Sequence, residues 1–239
     1  MNIPWNSIKL FGVGALSLGL VAFSNQRNNH KKINEVAVLF TGDQNLFISH
    51  ETVNKLLIQN SGDTKIEAKE KLVLNKMESA LVGNPMIKSA EVYLAVNGKL
   101  TAAVEQRTPI ARIEGSDRYY LDADGLRMPL SKNYTARVPI VTGNVTENCL
   151  PDVYKMIGYI NTDSFLQKNV IGIQVLQQGE YQLKMRLADF QVRLGNSENL
   201  EWKFNNFKAF YSKASKDHLL NAYAVISLEY SNQVVCTKK

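Results

Sequence analysis

Residues Leu10 to Phe23 form a fourteen-residue run with no charge and a single polar side chain, Ser17. Water is a poor home for such a run, so it must enter lipid, join a core or be cut away. At 1.5 Å per helical residue it falls short of the roughly twenty residues that cross a hydrocarbon layer. Ile8 extends it, and Asn6, Lys9 and Asn25 can reach the two interfaces, with Trp5 as an interfacial anchor. Three readings stand: one membrane-spanning helix, a signal peptide cleaved after Ser24 with small residues at Ala22 and Ser24, or a buried core helix. The membrane helix is the expectation. Direction stays open, because Arg27, Lys31 and Lys32 favour one side while the long segment that follows can be translocated regardless of them.

Charge narrows the class of partner. The chain carries a formal +6, but residues 1–32 contain four cations and no acid, so only +2 belongs to the other 207 residues. A nucleic-acid groove needs a basic stripe on the folded part, and none is supplied. Two cysteines, Cys149 and Cys236, make neither a disulfide framework nor a zinc knuckle; two unpaired thiols are expected, a long-loop disulfide being the other reading.

From Ile33 the pattern is that of a small α+β domain, placed at 33–107. Val36 to Phe40 is β-rich and ends at the turn signal Thr41-Gly42-Asp43. Ser49 is a good helix cap, with Val53, Leu56 and Leu57 as an apolar stripe and Ser61-Gly62-Asp63 as a break. A second helix carries Leu74, Met77 and Leu81 and stops at Gly83. Ala90, Val92, Leu94 and Val96 alternate as a strand, Asn97-Gly98 turns it, and Leu100, Ala102 and Val104 return.

This strand-helix-helix-strand-strand order, after an apolar span, resembles a POTRA domain. The segment Asn84-Pro85-Met86-Ile87-Lys88-Ser89-Ala90-Glu91-Val92, followed by Val104-Glu105-Gln106-Arg107-Thr108-Pro109-Ile110-Ala111, resembles a stretch of the FtsQ/DivIB cell-division family. The likeness continues through Tyr120 to Gly125 and Val138 to Gly143, and into Leu228 to Val235, most like the Bacteroidetes-like branch. It implies a short cytoplasmic end, one membrane helix and a basic flank (together 1–32), then a POTRA domain and a β domain at the division septum.

Residues 108–239 read as a strand-rich α+β unit. Strands are expected at Arg118 to Leu121, Leu126 to Leu130, Val138 to Thr142, Val170 to Leu176, Tyr181 to Leu187 and Gln191 to Leu194. Helices are expected at Val153 to Ile160 and Leu200 to Tyr211. The last strand is read from Tyr223 to Val235, with Ala224, Ile226, Leu228 and Tyr230 on one face and Tyr223, Val225, Ser227 and Glu229 on the other. Placed last, it is expected at a sheet edge, where free backbone groups accept another strand. The resemblance implies that this strand binds FtsB. The expected partner-binding residues are Tyr223, Val225, Ser227, Glu229, Tyr230, Asn232, Gln233, Val234 and Val235; Tyr230 takes the place of the family's partner-contacting tyrosine, while Glu229 stands where many relatives carry arginine.

Catalytic patterns are near misses. His50-Glu51-Thr52-Val53-Asn54 opens like a zincin helix but has Asn54 where the second histidine belongs. Asp122-x-Asp124-Gly125 is half a calcium loop without its closing acids, so a hairpin turn is expected. No nucleophile elbow, phosphate loop or dinucleotide fingerprint occurs. The expectation is therefore a non-enzymatic scaffold without cofactor. The resemblance implies that it binds FtsB and FtsL in the inner membrane, with its bulk in the periplasm, and helps control septal peptidoglycan synthesis. An exported wall-binding protein or enzyme released at Ser24 is the competing reading.

Overall fold

The computed structural model describes residues 5–29, 35–42, 45–60, 70–95, 97–187, 189–230 and 233–239. The expected helix break at Ser61 to Asp63, along with Asp43, Val96 and Asn232, lies outside them. Helix α1 (Trp5–Asn29) has 25 residues and no acid in its first turn. Its side chains at Val13, Leu16, Leu18, Leu20, Val21 and Phe23 are all exposed. Among the described residues no helix is long and apolar enough to cross a membrane.

The chain divides into two compact units, Met1–Gln106 and Arg107–Lys239. In the first, β1 (Glu35–Thr41) is followed by α2 (His50–Asn60), α3 (Glu70–Val82), β2 (Ile87–Leu94) and β3 (Lys99–Gln106). The sheet order is β1-β3-β2, with β1 parallel to β3 and β2 antiparallel to it. Ser49 caps α2, its Oγ accepting from Thr52 N–H at 3.2 Å. At the β2–β3 turn, Gly98 takes a positive φ that a side chain would resist. Val53 and Leu57 of α2 join Met77 and Leu81 of α3 over Val92, Leu100, Ala102 and Val104 of the sheet. Helical and strand periodicities thus meet in one core. Leu56 is only half-buried, while its neighbour Leu57 is fully enclosed.

The second unit contains β4 (Pro109–Glu114), β5 (Arg118–Asp122), β6 (Arg127–Pro129), β7 (Ile140–Gly143), α4 (Leu150–Thr162), α5 (Ser164–Asn169), β8 (Val170–Val175), β9 (Tyr181–Met185), β10 (Gln191–Gly195), α6 (Leu200–Lys216), β11 (Tyr223–Ser227) and β12 (Val235–Lys238). All nine strands form one sheet in the order β12-β11-β10-β9-β8-β7-β4-β5-β6. Its core gathers Val153, Ile157 and Ile160 of α4, Leu166 of α5 and Phe204 and Phe207 of α6 against Ile113, Val141, Ile173, Leu183 and Ile226 of the strands. Mixed α+β architecture follows directly: the helices supply apolar stripes and the sheet supplies the apolar face that they cover.

Helix α5 has no counterpart in the sequence reading, because six residues are too few to show a helical period. Asp163 sets it up. Its Oδ1 accepts from Phe165 N–H at 2.9 Å and Leu166 N–H at 3.0 Å, and its Oδ2 meets Lys208 Nζ at 2.5 Å. The Lys208 hydrogen bond, helped by the Leu166 N–H, holds the Asp163 carboxyl below the usual carboxylate range. A depressed pKa stabilises the fold at neutral pH, and that contribution is lost as pH falls below about 4. Asp163→Ala should cost about 1–2 kcal/mol in urea denaturation at pH 7, mostly as lost capping. Asp163→Asn should recover most of it; equal losses would point to the ion pair instead.

Candidate functional site

The expected single strand from Tyr223 to Val235 is a correction: the structure makes it two strands. β11 ends at Ser227, and β12 runs antiparallel along it. Local bonding starts the reversal. Ser227 Oγ contacts Glu229 Oε2 at 2.9 Å and accepts from Glu229 N–H at 3.4 Å, an arrangement that competes with continued strand pairing. Leu228 is buried, and its N–H donates to Arg193 O at 2.8 Å, pinning the turn to β10.

Neighbouring pieces fit around that turn. Gly195, at φ 70°, leaves room that a Cβ would take from Glu229 Cγ, 2.9 Å from where it would sit. Lys203 of α6 is buried and donates to Asn196 O at 2.8 Å and Asn196 Oδ1 at 2.9 Å. Burial pulls its ammonium pKa down, opposed by Glu198 and Glu229. The loop after β10 is therefore fastened to α6 by one cation.

Tyr223, Val225 and Ser227 are thus not on a free edge. Strand β11 pairs in parallel with β10 and antiparallel with β12, so both its sides are occupied. Glu229 and Tyr230 lie exposed in the reversal, Gln233 and Val234 lead into β12, and Val235 begins it. The residues missed by sequence reasoning are Cys236, Thr237 and Lys238, which complete the terminal strand. A signal was present: Ser231-Asn232 is a pair of turn-forming type, followed by the β-branched run Val234-Val235.

The open row of β12 can be assigned group by group. Leu228 N–H points at β10, so by alternation Val225 and Ser227 turn their backbone groups to β12. Lys239 N–H donates to Ala222 O at 3.0 Å, which places Val235, Thr237 and Lys239 on the inward row. The N–H and C=O groups of Cys236 and Lys238 therefore face away from the sheet. Side chains alternate at right angles to this: Cys236 is half-buried against the helix-covered core, whereas Val235 and Thr237 face the opposite side. Both cysteines are free thiols, and burial pushes the Cys236 thiol pKa up.

The far end of the same sheet is closed. Strand β6 has three residues, the last being Pro129, and its Arg127 pairs with Glu147 and lies 4.5 Å over the Tyr119 ring. A short edge ending in proline and guarded by a fixed cation resists strand addition. Strand β12 has no such protection apart from Lys238.

The near-miss motifs resolve into structure. His50 starts α2 with its ring edge-on to Phe40 at 4.5 Å. Asp122 is buried, accepts from Asp124 and Leu126 N–H and pairs with Arg107 at 2.7 Å, as a hairpin turn requires. Among the described residues no group of three or more His, Cys, Asp or Glu could hold a metal ion.

The chain thus pairs a three-stranded α+β unit with a strand-rich α+β unit whose nine-stranded sheet ends at β12. A family model for a POTRA-like domain matches residues 34–105, and one described as FtsQ/DivIB, C-terminal related, matches residues 108–237. The chain belongs to the FtsQ/DivIB family. No curated protein matches it. Both domain types are scaffold modules, and membership suggests a cell-division role.

Proposed function

We propose that the protein is a single-pass membrane scaffold of the bacterial division machinery, without enzymatic activity, that binds FtsB and FtsL through its C-terminal β domain. Helix α1 would anchor it in the inner membrane. Its 25 residues reach about 37 Å at 1.5 Å each, and among the described residues its Val, Leu and Phe side chains remain exposed. The folded units would then stand in the periplasm at the septum, where recruiting the two partners helps control septal peptidoglycan synthesis.

One observation carries this reading: the outward backbone groups of Cys236 and Lys238 form a row at the end of the nine-stranded sheet that no other described strand pairs with. A partner strand can extend the sheet there by main-chain pairing. Glu229, Tyr230 and Val235 lie close enough in sequence to that row to give it side-chain specificity. Gln233 and Val234 would shape the approach.

Lys238→Pro tests it. Proline removes an outward donor and leaves the inward pairing of Val235 and Thr237 intact, a substitution that edge strands tolerate. Co-purification and titration of the full chain with FtsB should show binding weakened about tenfold or more, with the melting temperature unchanged. Wild-type affinity in the folded variant would remove β12 as the docking edge.

A further inference from the structure

Between α4 and the first turn of α6 lies an open groove of about 920 Å³ that the β12 reading does not use. Tyr154, Tyr159 and Trp202 supply aromatic surface to it, and Asn161, Asn199 and Asn205 supply amides. Among the described residues, none of these three amides and not the Trp202 indole N–H has a hydrogen-bond partner within the chain. Lys155 and Glu201 also line it and cancel in charge.

Gly158 marks the floor. It lies inside α4, where glycine is a poor helix former, yet a Cβ there would meet nothing within 4 Å. Among the described residues no packing contact calls for a glycine there, and its bare backbone leaves room for a ligand to approach the helix closely.

We propose that this groove binds a neutral oligosaccharide. A pyranose ring has an apolar C–H face and a rim of hydroxyls. Aromatic side chains cover the first, and amides, which both donate and accept, satisfy the second. Other ligand classes fit less well. Phosphates and acidic polymers need net positive charge, which the Lys155–Glu201 balance withholds. An added strand needs open backbone, and this groove offers side chains. An amphipathic helix needs an unbroken apolar stripe, which the three asparagines interrupt.

The chain has two tryptophans, so a Trp5→Phe background leaves Trp202 as the only indole. The full chain in a sugar-free detergent is titrated with the tetramer of N-acetylglucosamine to millimolar concentration. A saturable change in Trp202 emission is expected. Gly158→Leu, which fills the floor with a better helix former, should weaken that binding about tenfold while leaving the melting temperature no lower. Absence of a saturable change, or equal affinity in Gly158→Leu, would overturn the assignment. Loss of FtsB binding in Gly158→Leu without any response to the sugar would also overturn it, by making the groove a protein contact. Neither result bears on Lys238→Pro, so the two readings fail separately.

Discussion

Gly143→Ala should destabilise the sheet unit by about 3 kcal/mol, the combined cost of left-handed backbone in a non-glycine residue and of a steric clash. Gly143 closes β7 at φ 94°. A Cβ there would run into the Val175 carbonyl oxygen and come within 3.1 Å of the Val175 carbonyl carbon. The obstacle is backbone of the neighbouring strand β8, paired with Gly143 itself, so no side-chain rotation relieves it. Because β7 and β8 lie near the middle of the nine strands, the shift would be felt on both flanks of the core. Denaturant unfolding read on the second unit checks this; a loss below about 1 kcal/mol would mean that β7 and β8 can part cheaply.

Leu57→Asp should unfold the first unit altogether. Leu57 is fully enclosed among Val53, Met77, Leu81 and Leu100. Truncating a buried leucine alone costs roughly 2–5 kcal/mol, and an unpaired carboxylate left in its place adds several more. That total is comparable with the whole stability of a domain of this size, about 5–15 kcal/mol. Leu56→Asp should be much milder, since Leu56 is half-buried and can turn its new charge to water. Limited proteolysis gives the readout: residues 107–239, with a core of their own, should survive as a resistant fragment in Leu57→Asp. Survival of the first unit would refute the assignment of Leu57 to its core.

How far the sequence could be read depended on the range of the interactions involved. The first unit was legible because its signals are local: Ser49 at a helix start, Gly83 at a helix end, Asn97-Gly98 between two alternating strands. Several strand positions in the second unit were legible for the same reason, but β4 and β12 were not among them. Sheet order was not. The parallel pairings of β4 with β7, β7 with β8 and β10 with β11 join distant segments, and no spacing in the chain announces them. The break between β11 and β12 was hidden by a coincidence, since Leu228 and Tyr230 continue the period-two pattern of Ala224 and Ile226 through a reversal. Leu228 is buried because the turn folds inward, and not because a strand continues.

The groove between α4 and α6 was illegible for another reason. Tyr154, Gly158 and Tyr159 sit in α4, while Asn199, Trp202 and Asn205 come from a segment some forty residues later. Only the tertiary fold brings them together, and Gly158 gives no hint in sequence that its surroundings are empty.

The unequal ends of the large sheet limit its extension. If β12 accepts a new rung, the short, proline-ended β6 at the other end does not. On the proposed reading, copies of this molecule would not queue head to tail through that sheet, because β6 offers β12 no matching edge, and the sheet would not propagate into a fibre.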